Sequence, residues 1–267
     1  MRPRGLPGLP GLSRIYGEGF RHQLRLTRRS LGDFQVLITV PLYTVVLLSM
    51  ADHAGRVGLM PYAVLAPAFI AQWSMALFVA GDLVSQERQL GTLEAIVATP
   101  ASLATLMVGR ISAIVAVSLL AFGESVVVAR VLFEVPISVG HPWILLAGIV
   151  AGAFAMAGTA GTMAALFVLA RSARTFQNSL SYPFYLLGGI LVPVAMLPDW
   201  LQPLSRLVFL SWEADLLRAS MATGPVHHVP ERLAAIVALG GLGYAVTILL
   251  MRSVLRRVRS LGTLGYA

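Results

Sequence analysis

Apolar residues in this chain fall into long blocks rather than the short alternating or one-faced patterns of a soluble core. Six blocks stand out, at 34–50, 61–81, 111–129, 143–170, 179–197 and 233–251. Most approach the ~20 residues an α-helix needs to cross the hydrocarbon layer of a bilayer. The third lies between Arg110 and Arg130 and contains one charge, Glu124. The fourth would run roughly 42 Å at the α-helical rise, so it tilts or its ends leave the hydrocarbon. The pattern predicts an all-α integral membrane protein with six transmembrane helices over residues 34–251.

The segments between and around these blocks carry patterns of their own. Residues 1–12 contain Pro3, Pro7 and Pro10 among glycines and read as a tail. Residues 13–31 place Ile15, Phe20, Leu24 and Leu31 among arginines, which fits a helix lying on the membrane surface; a solvated basic arm is the alternative. Residues 82–98 are polar enough to leave the membrane, yet Leu90, Leu93 and Val97 share one helical face beside Glu87 and Glu94. Residues 198–230 mix apolar and charged positions, too polar to span and too apolar for a free loop. One or two short helices dipping into the membrane are expected there, with Trp200 and Trp212 at head-group depth. Residues 252–267 form a basic tail.

Composition agrees with the membrane assignment: 57% of residues are hydrophobic and 12% charged, and mean hydropathy is +0.79. Soluble domains carry about 25% charged residues. The net charge of +8 comes from arginine alone, because the chain has no lysine. A phosphate-binding loop of the GxxxxGK[ST] type is therefore absent, as is a lysine Schiff base. Cysteine is also absent, which removes disulfides and thiolate ligands. With six spans and the N-terminus inside, fifteen of the twenty arginines fall on the cytoplasmic side. That bias follows the positive-inside rule and places both termini in the cytoplasm. The charge is thus accounted for by topology, without nucleic acid.

Three groups of residues are candidates for chemistry. The 82–98 helix suits docking into a groove of a partner protein, with Leu90, Leu93 and Val97 as anchors and Glu87, Arg88 and Glu94 orienting it, Gly91 allowing close approach. A plain surface helix covering the bundle fits the same pattern. Glu124 lies about 21 Å along a helix from Arg110 and about 9 Å from Arg130. An intramembrane carboxylate is a candidate contact for a cationic or sugar-bearing substrate or a proton; a structural clamp with Arg130 is the other reading. Tyr182 and Tyr185 either line a path for an amphipathic molecule or belong to an interfacial aromatic belt. Gly148 and Gly152 form a GxxxG pattern that reads as helix packing within the chain. The histidines form no recognisable metal-ligand spacing, and no catalytic nucleophile–base pattern appears.

The stretch ERQLGTLEAIVATP, Glu87 to Pro100, resembles the signature of ABC-2 type transporter permeases, the membrane subunits of exporters related to daunorubicin-resistance and nodulation-factor systems. Glu87, Arg88, Gly91, Thr92, Leu93, Glu94, Thr99 and Pro100 sit where that pattern has them. Tyr182-Pro183 to Pro193 and the later P-x-W-L-x-P-L-x-R-L are also similar to this family. Many members carry an Asn-Pro pair where this chain reads Phe209-Leu210-Ser211-Trp212. The resemblance implies a permease subunit of an ATP-driven exporter in a bacterial inner membrane. It implies two copies of an ABC ATPase subunit holding ATP and Mg, a second permease subunit, identical or related, and no cofactor or catalysis in this chain. Residues 82–98 would be the coupling helix, with Glu87, Arg88, Leu90, Gly91, Thr92, Leu93, Glu94 and Val97 at the ATPase interface. Cargo in this family includes drugs, lipophilic natural products, lipid-linked glycans and polysaccharides. An apolar interior with one carboxylate leans toward drug-like or lipid-like cargo. A proton-coupled secondary transporter using Glu124 is the competing expectation.

Overall fold

A computed structural model describes residues 11–55, 57–89, 91, 102–135, 139–169 and 173–261, and among these every regular element is helical. In chain order the helices are α1 (Leu12–Thr27), α2 (Leu31–His53), α3 (Met60–Ser74), α4 (Leu83–Gln89), α5 (Leu103–Ser118), α6 (Leu120–Phe133), α7 (Pro142–Leu169), α8 (Ala173–Leu187), α9 (Gln202–Ser205), α10 (Phe209–Met221) and α11 (Val229–Leu261). A π-helical segment, Met75–Ala80, continues α3 toward α4. Among the described residues five helical stretches are long and apolar enough to cross a membrane: Gln35–His53, Met60–Glu87, Leu103–Phe133, Pro142–Phe167 and Val229–Ser253.

These five coincide with five of the six blocks expected from hydropathy. The remaining block differs. Its helix is α8, shifted toward the N-terminus and 15 residues long, roughly 22 Å at the α-helical rise. Residues 188–193 turn instead of continuing, because Gly189 adopts φ +64° and Pro193 has no N–H to extend a helix. The third span is longer than expected and is two helices, α5 and α6, meeting at Leu119. The C-terminal basic segment is helical through Leu261 as an extension of α11.

The α3–π–α4 rod is the most enclosed span and α11 the least. On α3, Phe69 meets Phe122 of α6 edge-on at 5.4 Å. Trp73 stacks on Phe184 of α8 with ring centroids 4.2 Å apart. Helix α2 turns Leu37, Val40, Thr44 and Leu48 inward against α3 and α6, and leaves Ile38, Leu42, Val46 and Met50 exposed on its other side. Such an apolar outer face needs lipid or another protein surface against it.

Helix α7 packs most extensively, against α11 on one side and α10 on the other. Its glycines set both contacts. A Cβ at Gly158 would lie 2.5 Å from the Gly240 carbonyl oxygen of α11, and one at Gly161 would lie 2.7 Å from Thr247 Oγ1. Gly148 and Gly152 instead accommodate Leu217 and Glu213 of α10. The GxxxG pattern therefore serves packing within the chain.

Helix α1 lies against α5. Its inward row is Ile15, Gly19, Gln23 and Thr27, one residue per i+4 step. Gly19 and Gly109 let the backbones close: a Cβ at Gly19 would lie 2.5 Å from the Leu106 carbonyl oxygen, and one at Gly109 would collide with that of Tyr16. Arg14, Arg21 and Arg25 project from the opposite, exposed side. The burial of Gln23 and Thr27 was not foreshadowed by the apolar pattern.

Candidate functional site

Among the described residues, two places gather polar side chains against the trend of an apolar interior. The first is the junction where the α3–π–α4 rod emerges beside α1, α5 and α8. Arg110 of α5 is 4% exposed. Its Nη1 donates a hydrogen bond to Glu87 Oε1 of α4, and its Nε donates to Gln23 Oε1 of α1 at 3.0 Å. Gln23 Nε2 in turn faces Thr27 Oγ1 at 3.4 Å. One guanidinium thus joins three helices that are far apart in sequence. Arginine suits this role because its planar fork reaches two acceptors in fixed directions.

The same junction is tied to α8 through Gln177, which is fully buried. Its Nε2 donates to the Leu77 carbonyl oxygen at 3.2 Å and to Asp82 Oδ1 at 2.8 Å. Leu77 lies in the π-helical segment, whose wider turns leave carbonyls without the regular α-helical partner. Gln177 supplies one of them with a donor. The contact also fixes Asp82, the residue at which the rod turns into α4.

The residues expected to meet an ATPase divide at this point. Glu87 lies in α4 and is committed inward to Arg110 rather than presented outward. Arg88 lies in the same helix. Gly91 adopts φ +68°, and among the described residues a Cβ there would meet nothing within 4 Å. The left-handed backbone that follows α4 is itself a reason for glycine at this position. Leu90, Thr92, Leu93, Glu94 and Val97 lie outside the described residues.

The second polar gathering is a cavity of about 550 Å³ between α2, α3 and α8. Its wall includes Gln35, Thr39 and Tyr43 from α2, Ser74 from α3, and Asn178, Ser181, Tyr182 and Tyr185 from α8. Ser74 Oγ and the Tyr185 hydroxyl are 3.1 Å apart. The Tyr182 and Tyr185 rings meet edge-on at 6.4 Å. These side chains are hydroxyls, amides and aromatic rings, with Val36, Val40, Ile70, Phe78 and Leu191 between them. Among the described residues the wall carries no acidic or basic side chain. The cavity brings Tyr182 and Tyr185 together and leaves Glu124 out. Glu124 is on α6, partly exposed, and its Oε2 has no hydrogen-bond partner among the described residues.

Beyond α8 the segment 198–230 contains two short helices, α9 and α10. Arg206 pairs with Asp215 at 2.9 Å and lies 4.8 Å from the Trp212 ring centroid. Trp212 Nε1 donates to the Arg206 carbonyl oxygen at 2.9 Å. Arg218 sits over the Tyr62 ring of α3 at 4.1 Å and donates from Nη2 to the Ile190 carbonyl oxygen at 3.0 Å, fixing the turn after α8. Glu213 of α10 is completely buried. Helix α10, 13 residues long, is not among the helices long and apolar enough to cross a membrane, and burial pushes the Glu213 carboxyl well above the usual carboxylate range.

Sequence reasoning passed over Gln23, Arg110, Gln177 and Glu213. In the sequence Arg110 marks the end of an apolar block and Glu213 is one polar position in a mixed segment. Neither placement reveals which helix the side chain faces.

The sequence matches the family model described as ABC-2 type transporter over residues 21–222. No curated protein matches the chain. The matched region begins within α1 and ends just after α10, so it contains both polar gatherings and the returning segment. The chain is a member of the ABC-2 type transporter family and a multi-pass permease subunit of an ABC transporter.

Proposed function

We propose that this permease is the translocating subunit of an ATP-driven exporter, and that the cavity between α2, α3 and α8 is one wall of its path. The cavity is the observation that carries this reading. Its neutral hydroxyl and amide groups alternate with aromatic and aliphatic surface, a lining suited to an uncharged amphipathic molecule. A lipophilic natural product, drug or lipid bearing hydroxyl or glycosyl groups fits that chemistry. The exposed apolar side of α2 adjoins the cavity, and a second permease subunit against it would close the path from the other side.

ATP and Mg would be held by two copies of a separate ATPase, consistent with the absence of lysine from this chain. The segment 87–97 would receive the ATPase movement, with Leu90, Leu93 and Val97 as its anchors. Arg110 would pass that movement to α1 and α5, and Gln177 would pass it to α8, which forms a wall of the cavity. The coupling is a population shift between two packed arrangements, biased by nucleotide at the partner. In this account α8 with the turn after it is the sixth crossing, both termini are cytoplasmic, and α9–α10 lies at the outer side of a bacterial inner membrane. The arginine distribution supports that orientation.

The test is cargo-stimulated ATP hydrolysis by the complete transporter in lipid vesicles. Tyr182→Ala and Tyr185→Phe are expected to weaken stimulation by candidate cargo while leaving basal hydrolysis intact. Unchanged stimulation in both variants would remove the cavity from the path.

A further inference from the structure

Glu213 is a buried carboxyl that the transport path described above does not use. It has no exposed surface, and neither Oε1 nor Oε2 has a hydrogen-bond partner among the described residues. The fold nevertheless makes room for it. Gly152 of α7 lies directly against the carboxyl group, so that a Cβ there would collide with the Glu213 carboxyl. A side chain pressed into a glycine-floored recess, with no polar partner, is an unusual use of a glutamate. A charged carboxylate in such a place loses its hydration without compensation, and protonation removes most of that penalty.

Among the described residues the surroundings offer this carboxyl no hydrogen bond. Helix α7 has no titratable side chain anywhere along Pro142–Leu169. From α3, Tyr62 faces Arg218, whose Nη2 is directed to the Ile190 carbonyl oxygen. On α10 itself, Asp215 turns to Arg206. From α11, Glu231 pairs with His228 at an exposed position, and Tyr244 packs on Phe154 of α7. The neutral acid is the form this packing accommodates.

We propose that Glu213 is a proton-binding site that holds α10 against α7, occupied in the closed arrangement seen here and vacated when the two helices separate. On separation, water enters the recess, the carboxyl O–H bond breaks, and the proton passes to that water. On closure one proton returns from the same aqueous side, so the cycle moves no net proton across the membrane. This inference rests on the assignment of α9–α10 to the outer side, and the site behaves as a proton-dependent latch on that face.

The direction of the pH effect follows. The open, hydrated carboxyl titrates near the ordinary value of about 4.3, and the closed one only at higher pH. The closed arrangement is therefore fully favoured below about pH 4.3 and loses ground as pH rises, by about tenfold per unit until the closed-state carboxyl itself ionises. Acidifying the outer side tightens the latch.

The absence of cysteine makes the test direct. Cysteines introduced at Trp143, exposed at the start of α7, and Leu207, exposed just before α10, carry spin labels for distance measurement in the full-length transporter in nanodiscs. Raising the pH is expected to enlarge the population of the longer distance, and Glu213→Gln, neutral and nearly isosteric, is expected to abolish that dependence. Infrared spectra should show the C=O band of a protonated carboxylic acid at neutral pH in the unsubstituted protein and lose it in Glu213→Gln. Absence of that band, its persistence in E213Q, or a pH response that survives E213Q would each overturn the proposal. Because neither measurement needs ATP or cargo, a failure of the exporter assignment would appear separately, as missing ATP-driven transport with the latch intact.

Discussion

Removing the carboxylate of Glu87 while keeping Arg110 is the most informative perturbation of the cytoplasmic junction. The side chains of Arg110 and Glu87 are 4% and 11% exposed, so water cannot replace the lost partner without opening the contact. Breaking a buried pair of this kind from one side costs about 3–5 kcal/mol, because an uncompensated charge remains. Gln23 still accepts from Arg110 Nε, which places Glu87→Gln toward the lower end of that range. Arg110→Met instead takes this donor away from the Glu87 carboxylate, and a loss of stability is expected there too. The double variant Glu87→Gln/Arg110→Met leaves no buried charge at the pair, so its loss should fall well short of the sum of the two singles. Denaturant or thermal unfolding of the purified protein in a mild detergent supplies the four corners of this cycle. Coupled transport supplies a second readout, since the double variant restores packing but not the charged link among α1, α4 and α5. Single variants within about 0.5 kcal/mol of the parent, or strictly additive losses, would refute the claim that this pair is a desolvated structural link.

Other perturbations address the remaining contacts. Gly109→Leu drives a side chain into the Tyr16 backbone and is expected to detach α1 from α5, seen as new protease cleavage within 12–27. Gln177→Leu removes the donor to Leu77 and Asp82; a loss of about 1–3 kcal/mol, together with ATP hydrolysis no longer stimulated by cargo, is the expected result. Gln72 is fully buried with neither end of its amide hydrogen-bonded among the described residues, so Gln72→Met is expected to stabilise the bundle by about 1–3 kcal/mol in unfolding measurements. Asp215→Asn breaks a pair whose side chains are 42% and 27% exposed, and its cost should stay within about 1 kcal/mol.

What hydropathy made legible was the set of long apolar stretches, because crossing a bilayer demands length and composition before any tertiary detail. It misplaced the end of α8, where the apolar run continues through 188–197 but Gly189 and Pro193 redirect the backbone. It also treated polar residues by their position along one helix. Glu87 read as outward because it lies beside an apolar stripe, yet its partner is Arg110, 23 residues on. Gln177 and Leu77 are 100 residues apart, and no local pattern announces such a pair. Glu213 was hidden for a related reason. Among Trp212, Asp215 and Arg218 it reads as one more interfacial charge, and only the glycine facing it from α7 distinguishes it. The tyrosines of α8 stand out in the sequence as polar-tipped aromatic residues within an apolar block, whereas the cavity they line needed α2 and α3 beside them.

The measurement bearing most directly on the central claim is reconstitution of the purified chain into vesicles, with and without the ATPase that co-purifies with it from its native cell. The account predicts a stoichiometric ATPase partner, cargo movement that requires ATP and that partner, and loss of both on Leu93→Arg. Transport by this chain alone, driven by an ion gradient and abolished by Glu124→Gln, would contradict it.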